Sequence, residues 1–590
     1  MLLLCISNGV YGFCEGLSSR IILMSVDKQT FFKETPHDGK KPWLNCYDYN
    51  VPKSIQYPKI PAQNLVHLAA ATFPHKAATN LYGSLMTFRQ IRSQILRLAN
   101  ALIKSGVKKG DRVGLALPNC PQYIIAYYAA LSAGAIVVNM NPMYTHDELK
   151  FMMENSGLET LFTFDMVLPV MRPLAKELGL KNVIITKVTD YIQGFPVSTA
   201  KSLELEEGWH HFSELLEKST DESMPKVVVN SEDHALIQFT GGTTGLPKGA
   251  LLTHSNVVSA AFQGTLWGNS ITTYVPHAQR AVIGAIPYFH IYGNTFSMNW
   301  GMLNAATQVL FPRFELEEFM SVMATLEEIS YFPTVPTMVT AIVSHPKAAE
   351  LDLGSRIRLL STGGAPMPVD LIQRVKDMGV FFNEGWGMSE TTSVGISIPI
   401  LRHKPGSIGC PVSDNEVRLV DLETGLHDVK QGEPGEILIK GPTVMCGYWN
   451  NPEETAIQLK EGWLSTGDIA QMDEDGYFYI VDRKKDMIIA GGFNIYPREV
   501  DEVLYQHPKI AEAVSAGVPD AYRGETVKAF IVLKPGVEAT DKEIIAFCKE
   551  KLAPYKVPKQ IEFRKELPKS AVGKILRKIL RDEEITKNKK

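Results

Sequence analysis

The densest chemistry in this 590-residue chain lies at Gln238-Phe-Thr-Gly-Gly-Thr-Thr-Gly-Leu-Pro-Lys-Gly249. Three glycines (Gly241, Gly242, Gly245), three threonines (Thr240, Thr243, Thr244) and Lys248 fall within Thr240–Lys248. Glycines let backbone N–H groups approach a polyanion, threonine hydroxyls add donors, and a lysine supplies a point charge. That combination makes a phosphate cradle. It is not a Walker loop, because Leu246 or Pro247 falls where that pattern needs its second glycine. Composition alone also permits a plain Gly/Thr surface turn.

The cradle follows an apolar stretch and precedes a helix-like segment with Asn256 near its start. Upstream, from about 63 to 225, strand-like runs alternate with helical patterns. Arg112-Val-Gly-Leu-Ala-Leu-Pro reads as a short buried strand, Tyr123–Ser132 as a helix, Ala135-Ile-Val-Val-Asn-Met as the next strand and Asp147–Asn155 as a helix. Such alternation predicts an α/β fold with a mostly parallel sheet covered on both faces. Residues 190–230 carry acidic and polar runs and read as a surface excursion; residues 25–60 read as an extended arm. Later the texture changes. Glu436-Ile-Leu-Ile-Lys, Gly476-Tyr-Phe-Tyr-Ile-Val and Val527-Lys-Ala-Phe-Ile-Val-Leu read as strands, with a helix over Pro497–His507. The charge run Asp482-Arg-Lys-Lys-Asp-Met marks a boundary. The expected division is an arm over 1–60, a large domain over 61–482 and a small α+β domain over 483–590, with a hinge near 483–486.

The length exceeds one hydrophobic core, which stops growing near roughly 250–300 residues. Net charge is −4, with nothing of the strongly basic face that a nucleic-acid partner needs. Seven scattered cysteines show no metal-ligand spacing and predict a reducing compartment. The apolar start Met1-Leu-Leu-Leu-Cys-Ile lacks a positive leader and is soon interrupted by Ser7, Asn8 and Glu15, unlike a signal peptide. Met24-Ser-Val-Asp-Lys reads as an alternative start.

The cradle closely resembles the signature loop of the adenylate-forming superfamily: acyl- and aryl-CoA synthetases, luciferases and peptide-synthetase adenylation domains. Further motifs follow in that superfamily's order over roughly residues 60–580. Phe382-Asn-Glu-Gly-Trp-Gly-Met-Ser-Glu-Thr391 resembles its adenine and metal motif, with Trp386 where Tyr is common and Ser389 where Thr is common. The resemblance implies that Trp386 packs on adenine, within Glu384, Gly385, Gly387, Met388 and Ser389. It also implies that Glu390, with Thr244, holds Mg²⁺, as oxygen ligands to a hard cation. Ser361-Thr-Gly-Gly-Ala-Pro-Met-Pro368 matches a second adenine-pocket loop, giving Gly364, Ala365 and Pro366. Gly462-Trp-Leu-Ser-Thr-Gly-Asp468 and Arg483 match the ribose-binding residues; a carboxylate there can accept both ribose hydroxyls. In Pro287-Tyr-Phe-His-Ile-Tyr-Gly293, His290 matches a histidine near the acyl carboxylate. In Leu567-Pro-Lys-Ser-Ala-Val-Gly-Lys574, Lys574 matches the lysine that reaches the carboxylate and the α-phosphate. Lys485 matches the hinge, and Gly492 lies in Gly491-Gly-Phe-Asn494 on the face presented for the second step.

The resemblance therefore implies a large domain of αβαβα layers plus a small β-barrel-like part, and a small mobile α+β C-terminal domain. It implies ATP and Mg²⁺ for forming an acyl-AMP, then coenzyme A as acceptor. Val481-Asp-Arg-Lys-Lys-Asp-Met-Ile-Ile-Ala-Gly-Gly-Phe-Asn-Ile-Tyr-Pro497 is especially similar to bacterial long-chain fatty-acid–CoA ligases. Medium-chain, aromatic or alicyclic acids stay open, as do delivery to a carrier protein, luciferase-like chemistry and a non-catalytic role in fatty-acid binding or uptake. The expected partners are small molecules in the cytoplasm, without nucleic acid. Peripheral contact with the inner membrane and a homodimer are left open.

Overall fold

The structure is a computed structural model that describes residues 41–193, 205–240, 247–365, 367–490, 493–520, 522–570 and 573–587. Two large, mostly parallel sheets form its frame. The eight-stranded sheet is built around Arg112–Leu115, with Ile136–Asn139 and then His234–Phe239 on one side and Thr160–Phe164 and Asn182–Thr186 on the other. The nine-stranded sheet has Ala281–Gly284, Ile329–Thr334, Ile357–Thr362 and Phe381–Trp386 as adjacent parallel strands.

Helices lie between the sheets. Pro121–Ser132 is buried along its whole length, as expected for a helix apolar on every face. Its tyrosines bond in both directions. The Tyr123 hydroxyl lies 2.6 Å from Asn139 Oδ1 on one sheet and 2.9 Å from the Tyr288 carbonyl beyond the other, its one proton shared between the two acceptors. Capping boxes close several helix starts, among them Thr87 with Gln90, Thr145 with Glu148 and Thr253 with Asn256.

A third, antiparallel sheet contains Glu416–Val420, Gly435–Lys440 and Trp463–Met472, with Phe478–Arg483 paired to the last of these. A fourth sheet, Ile488–Ala490 through Gln560–Phe563, carries the helices Pro497–Tyr505 and Asp541–Lys551 around a core of Ile495, Val500, Leu504, Ile531 and Ile544, and the helix Arg577–Lys587 through Leu580 on Val514, Ala516 and Phe530. No helix among the described residues is long and apolar enough to cross a membrane.

Residues 190–230 depart from the expectation of a surface excursion. Trp209–His211 adds a parallel strand to the eight-stranded sheet, pairing Val183 with Trp209, and Trp209 and Phe212 are buried. Three strand residues inside a polar run leave no period to detect. The described part of the arm, from residue 41, is fastened rather than loose, with Trp43, Tyr47 and Val51 buried. Asp48 ties it down, its carboxylate accepting from the Ile400 N–H at 3.1 Å, the Leu401 N–H at 3.2 Å and the Ser270 hydroxyl at 3.1 Å. Asp48→Ala leaves the Ile400 and Leu401 N–H groups without this acceptor, while Ser270 keeps Asn50 Oδ1, and should destabilise the protein by about 1–3 kcal/mol, read as a lower unfolding temperature. An unchanged unfolding temperature would show that the arm is not anchored there.

Candidate active site

Ligands of open parallel sheets bind outside the carboxyl ends of the strands, and there the chemistry-bearing residues gather. His290 follows Ala281–Gly284, Gly363 follows Ile357–Thr362, and Glu390 follows Phe381–Trp386. Thr240 and Lys248 stand at the mouth of the hairpin His234–Phe239 and Gly249–Thr253, where the Thr240 N–H donates to the Lys248 carbonyl at 2.8 Å. They open on one cleft of about 3620 Å³ that the small C-terminal body also lines, through Lys574 and Arg498.

Glu390 is buried, and burial raises its pKa. The Tyr448 hydroxyl donates to its Oε1 at 2.8 Å and favours the charged form. Lys248 pairs with Glu454 and stands 5.4 Å over the Tyr448 ring. Glu390 and the cradle's Lys248 are thus both held by Gly447-Tyr-Trp-Asn-Asn-Pro-Glu-Glu-Thr455. Among the described residues no group of three or more His, Cys, Asp or Glu is placed to hold a metal. One carboxylate beside substrate phosphates is the usual way to hold Mg²⁺, and Glu390 fits that part.

Trp386, Asp468 and Arg483 form a chain. The Trp386 indole N–H donates to Asp468 Oδ2 at 2.8 Å, and Arg483 Nε lies 3.1 Å from Asp468 Oδ1. Asp468 and Arg483 are direct partners across two antiparallel strands. Half-buried Lys574 is close by: the Arg483 guanidinium, and then burial, push its pKa down to about 7 against the pull of Asp468 and Asp486. Gly573 takes φ +75° and lies so near Thr337 that a β-carbon would stand 2.6 Å from Thr337 Oγ1. The lysine loop is therefore seated on the wall of the large body.

On the opposite wall, burial and the charge of Lys574 lower the His290 pKa to about 4, so the ring is neutral. The Tyr292 N–H donates to His290 Nδ1 at 3.2 Å, which assigns the ring proton to Nε2 and makes that atom a donor. At Gly293 a β-carbon would stand 2.4 Å from the Pro287 carbonyl oxygen, so only glycine lets the chain fold back and present His290. Deeper in, the Tyr331 hydroxyl shares a hydrogen bond with Ser361 Oγ at 2.7 Å and the Tyr292 hydroxyl does so at 3.2 Å. Glu384 is buried, its pKa pushed up to about 7 by burial, and it accepts from the Met367 N–H at 3.3 Å.

At the joint between the bodies, attachments change over one peptide bond. Lys484 is tied to the large body, through its N–H to the Gly467 carbonyl and its Nζ to Glu436, both at 2.9 Å. The Lys485 carbonyl instead accepts from Arg581 at 3.2 Å. Arg577 is shared by Asp501 at 2.7 Å, Asp486 at 3.2 Å and Asp482 at 3.8 Å, and donates to the Ser515 carbonyl at 2.8 Å.

Two family descriptions match this chain: AMP-binding enzyme over residues 66–449 and AMP-binding enzyme C-terminal domain over residues 499–574. The chain belongs to the AMP-binding enzyme family. It is 42% identical over 558 residues to a long-chain-fatty-acid–CoA ligase of Bacillus subtilis, covering 92% of this chain and 98% of that one. It is 37% identical over 572 residues to the corresponding ligase of Salmonella typhimurium, covering 92% and 98%. Among solved structures it is similar to an anthranilate CoA ligase in complex with anthranoyl-AMP, with a TM-score of 0.79, 28% identity and coverage of 90% and 98%. The large α/β body with its separate C-terminal unit is the architecture of this family's adenylate-forming enzymes.

The expected site residues of this family member fall in one cleft wherever they are described. Thr240, Lys248, His290, Glu390, Asp468, Arg483 and Lys574 line it. So do Gly364, Ala365, Glu384, Gly385, Trp386, Gly387, Met388, Ser389 and Lys485. Gly241, Gly242, Thr243, Thr244, Gly245, Pro366 and Gly492 lie outside the described residues. Sequence reasoning missed Tyr448, Glu454, Arg577 and Thr337. Tyr448 and Glu454 sit in a motif whose resemblance is readable, but a buried tyrosine carries no sign that it holds a carboxylate. A lowered pKa means that the Lys574 proton is bound below about pH 7 and lost above it. The kcat/KM for pyrophosphate release, which reports the free enzyme, should fall as pH rises through about 7. The kcat should fall only at higher pH, because bound phosphates favour the ammonium. Identical profiles for the two would contradict the assignment.

Proposed function

We propose that this protein activates a long-chain fatty acid with ATP, forming acyl-AMP and pyrophosphate, and then transfers the acyl group to coenzyme A with release of AMP. The observation that carries the reading is Lys574. It comes from the far end of the chain yet lies against Arg483 and Asp468 at one wall of the cleft, and its charge reaches His290 at the other. The names of the curated relatives support the fatty acid as substrate and coenzyme A as acceptor.

In the first half-reaction a carboxylate oxygen attacks the α-phosphorus and pyrophosphate leaves. Two anions must meet, and cations fixed in a low-dielectric site lower that barrier. Lys574 bridges carboxylate and α-phosphate, and the His290 Nε2 proton orients the carboxylate. Asp468 takes the ribose hydroxyls, held in place by Trp386 and Arg483. The Thr240–Lys248 loop receives the β- and γ-phosphates. Glu390 with Thr244 would hold Mg²⁺, which when bound would neutralise charge on the phosphates. In the second half-reaction the thiol sulfur attacks the acyl carbon and AMP departs. For this chemistry the chain divides into an arm to residue 60, a large domain over 61–482 and a small domain over 483–590. The small domain turns at Lys485 to exchange Lys574 for the Gly491–Asn494 face.

A second reading, an aromatic acid with a polar substituent, rests on Asn383. Asn383 is among the cleft-lining residues, and its buried Oδ1 has no hydrogen-bond partner among the described residues.

The test is incubation with MgATP and acids from acetate through benzoate to palmitate, with and without coenzyme A. Acyl-CoA strongest for long aliphatic acids is expected. Preference for substituted benzoates supports the second reading. Pyrophosphate without acyl-CoA moves the acceptor to a carrier protein, and no product from any acid overturns the proposal. Lys574→Ala should lose acid-dependent pyrophosphate release by about 100-fold or more while pre-made acyl-AMP still reacts with coenzyme A. Lys485→Pro should do the reverse, and equal loss of both half-reactions in it would refute the hinge.

A further inference from the structure

The helix His254–Trp267 carries a glycine, Gly264, in its interior. Glycine is a poor helix former, so its presence calls for a steric reason. A β-carbon at 264 would stand 2.5 Å from Phe296 Cε1 and 3.0 Å from Phe296 Cδ1. The Phe296 ring thus lies directly against the helix backbone.

Phe296 belongs to the wide-pitched π-helical segment Asn294–Asn299, which follows His290 and Tyr292 into the cleft. Insertions of this kind redirect side chains and recur at functional sites. The Phe296 ring meets the Tyr292 ring edge-on at 5.7 Å. Tyr292 cannot yield, because its hydroxyl is bonded at Ser361. On further sides the ring packs on the cluster of Trp300 and Tyr331 and on that of Ile286 and Val335. It is only half-buried, and its remaining side faces the cleft. A ring pushed off Gly264 has that direction to go.

We propose that Gly264 sets the depth of the acyl channel by letting Phe296 lie back out of it. The inference rests on the fatty-acid reading above and adds a determinant of chain length. Gly264 is a positioning residue, one side chain removed from the substrate. With glycine there, the passage beyond His290 and Tyr292 stays open for a long alkyl chain. With any larger residue, the Phe296 ring moves into the path of the distal methylenes, and the carboxylate end of the site is untouched.

The test uses the full-length protein as wild type, Gly264→Ala, Phe296→Leu and the double variant. Each is assayed for acid-dependent pyrophosphate release and acyl-CoA with octanoate, dodecanoate and hexadecanoate. One methylene in an apolar pocket is worth about tenfold or more, so Gly264→Ala should lower the hexadecanoate-to-octanoate ratio of kcat/KM by about tenfold while octanoate stays within about twofold. Phe296→Leu in the same chain should restore the ratio, because the clash partner is gone. A merely structural defect would lower all three acids alike, and that result overturns the proposal. So does an unchanged ratio, or a double variant as selective as Gly264→Ala alone. If the wild type releases pyrophosphate with none of these acids, the fatty-acid reading falls and takes the inference with it. If the wild type is active and the ratios do not move, only the inference falls.

Discussion

A carboxylate and a polyphosphate repel, and the whole molecule is arranged around making them meet. At an effective dielectric near 20, two unit charges 4 Å apart interact by about 4 kcal/mol. Repulsion of that size stops the reaction unless cations are fixed in place beforehand. The cleft supplies them from distant parts of the chain: Lys248 at the hairpin mouth, Arg483 at the edge of the third sheet, and Lys574 near the C-terminal end. Crowding is the consequence. Arg483 sits close enough to Lys574 to be the main cause of its lowered pKa, with Asp468 and Asp486 pulling the other way. A lysine so placed is stabilised as the ammonium by any anion that arrives beside it, which is the part the proposed reaction gives to the substrate.

Holding a cation against its neighbours requires a stiff mount. Arg577, three residues after Lys574, provides it through Asp482, Asp486 and Asp501 and the Ser515 carbonyl. Three carboxylates share one guanidinium, and burial raises the pKa of Asp482 and of Asp501, the latter to about 6. A buried ion network of this kind is weak evidence for stability. Its value lies in geometry, because it joins both sides of the joint at Lys484 and Lys485. Asp482 also accepts from the Arg498 N–H at 2.8 Å, at the start of Pro497–Tyr505. On the proposed rotation at Lys485, these same contacts would have to open.

Much of this was legible in the sequence. The helices expected over Tyr123–Ser132 and Pro497–His507 are found at Pro121–Ser132 and Pro497–Tyr505, each shifted by two residues at one end. The positions that gather in the cleft were found through their resemblance to a family's motifs, because glycine loops and charged residues in that wording and order are rare by chance. Trp386 was read as an adenine platform, but its indole N–H also holds Asp468, which a tyrosine ring could not do in the same way. What stayed hidden depends on contacts between distant segments. Trp209–His211 is too short to show a period and is a strand only because the Asn182–Thr186 edge pairs with it. Tyr448 gains its meaning from Glu390, 58 positions away, and Gly264 from Phe296. No local rule connects such pairs.

The most direct test of the central claim is a crystal structure of the protein with a non-hydrolysable acyl-adenylate analogue. Lys574 Nζ should lie within hydrogen-bonding distance of the oxygens that link the acyl carbon and the α-phosphorus, with the ribose hydroxyls on Asp468. An analogue bound with Lys574 turned away and another residue at that linkage would contradict the role assigned to this lysine.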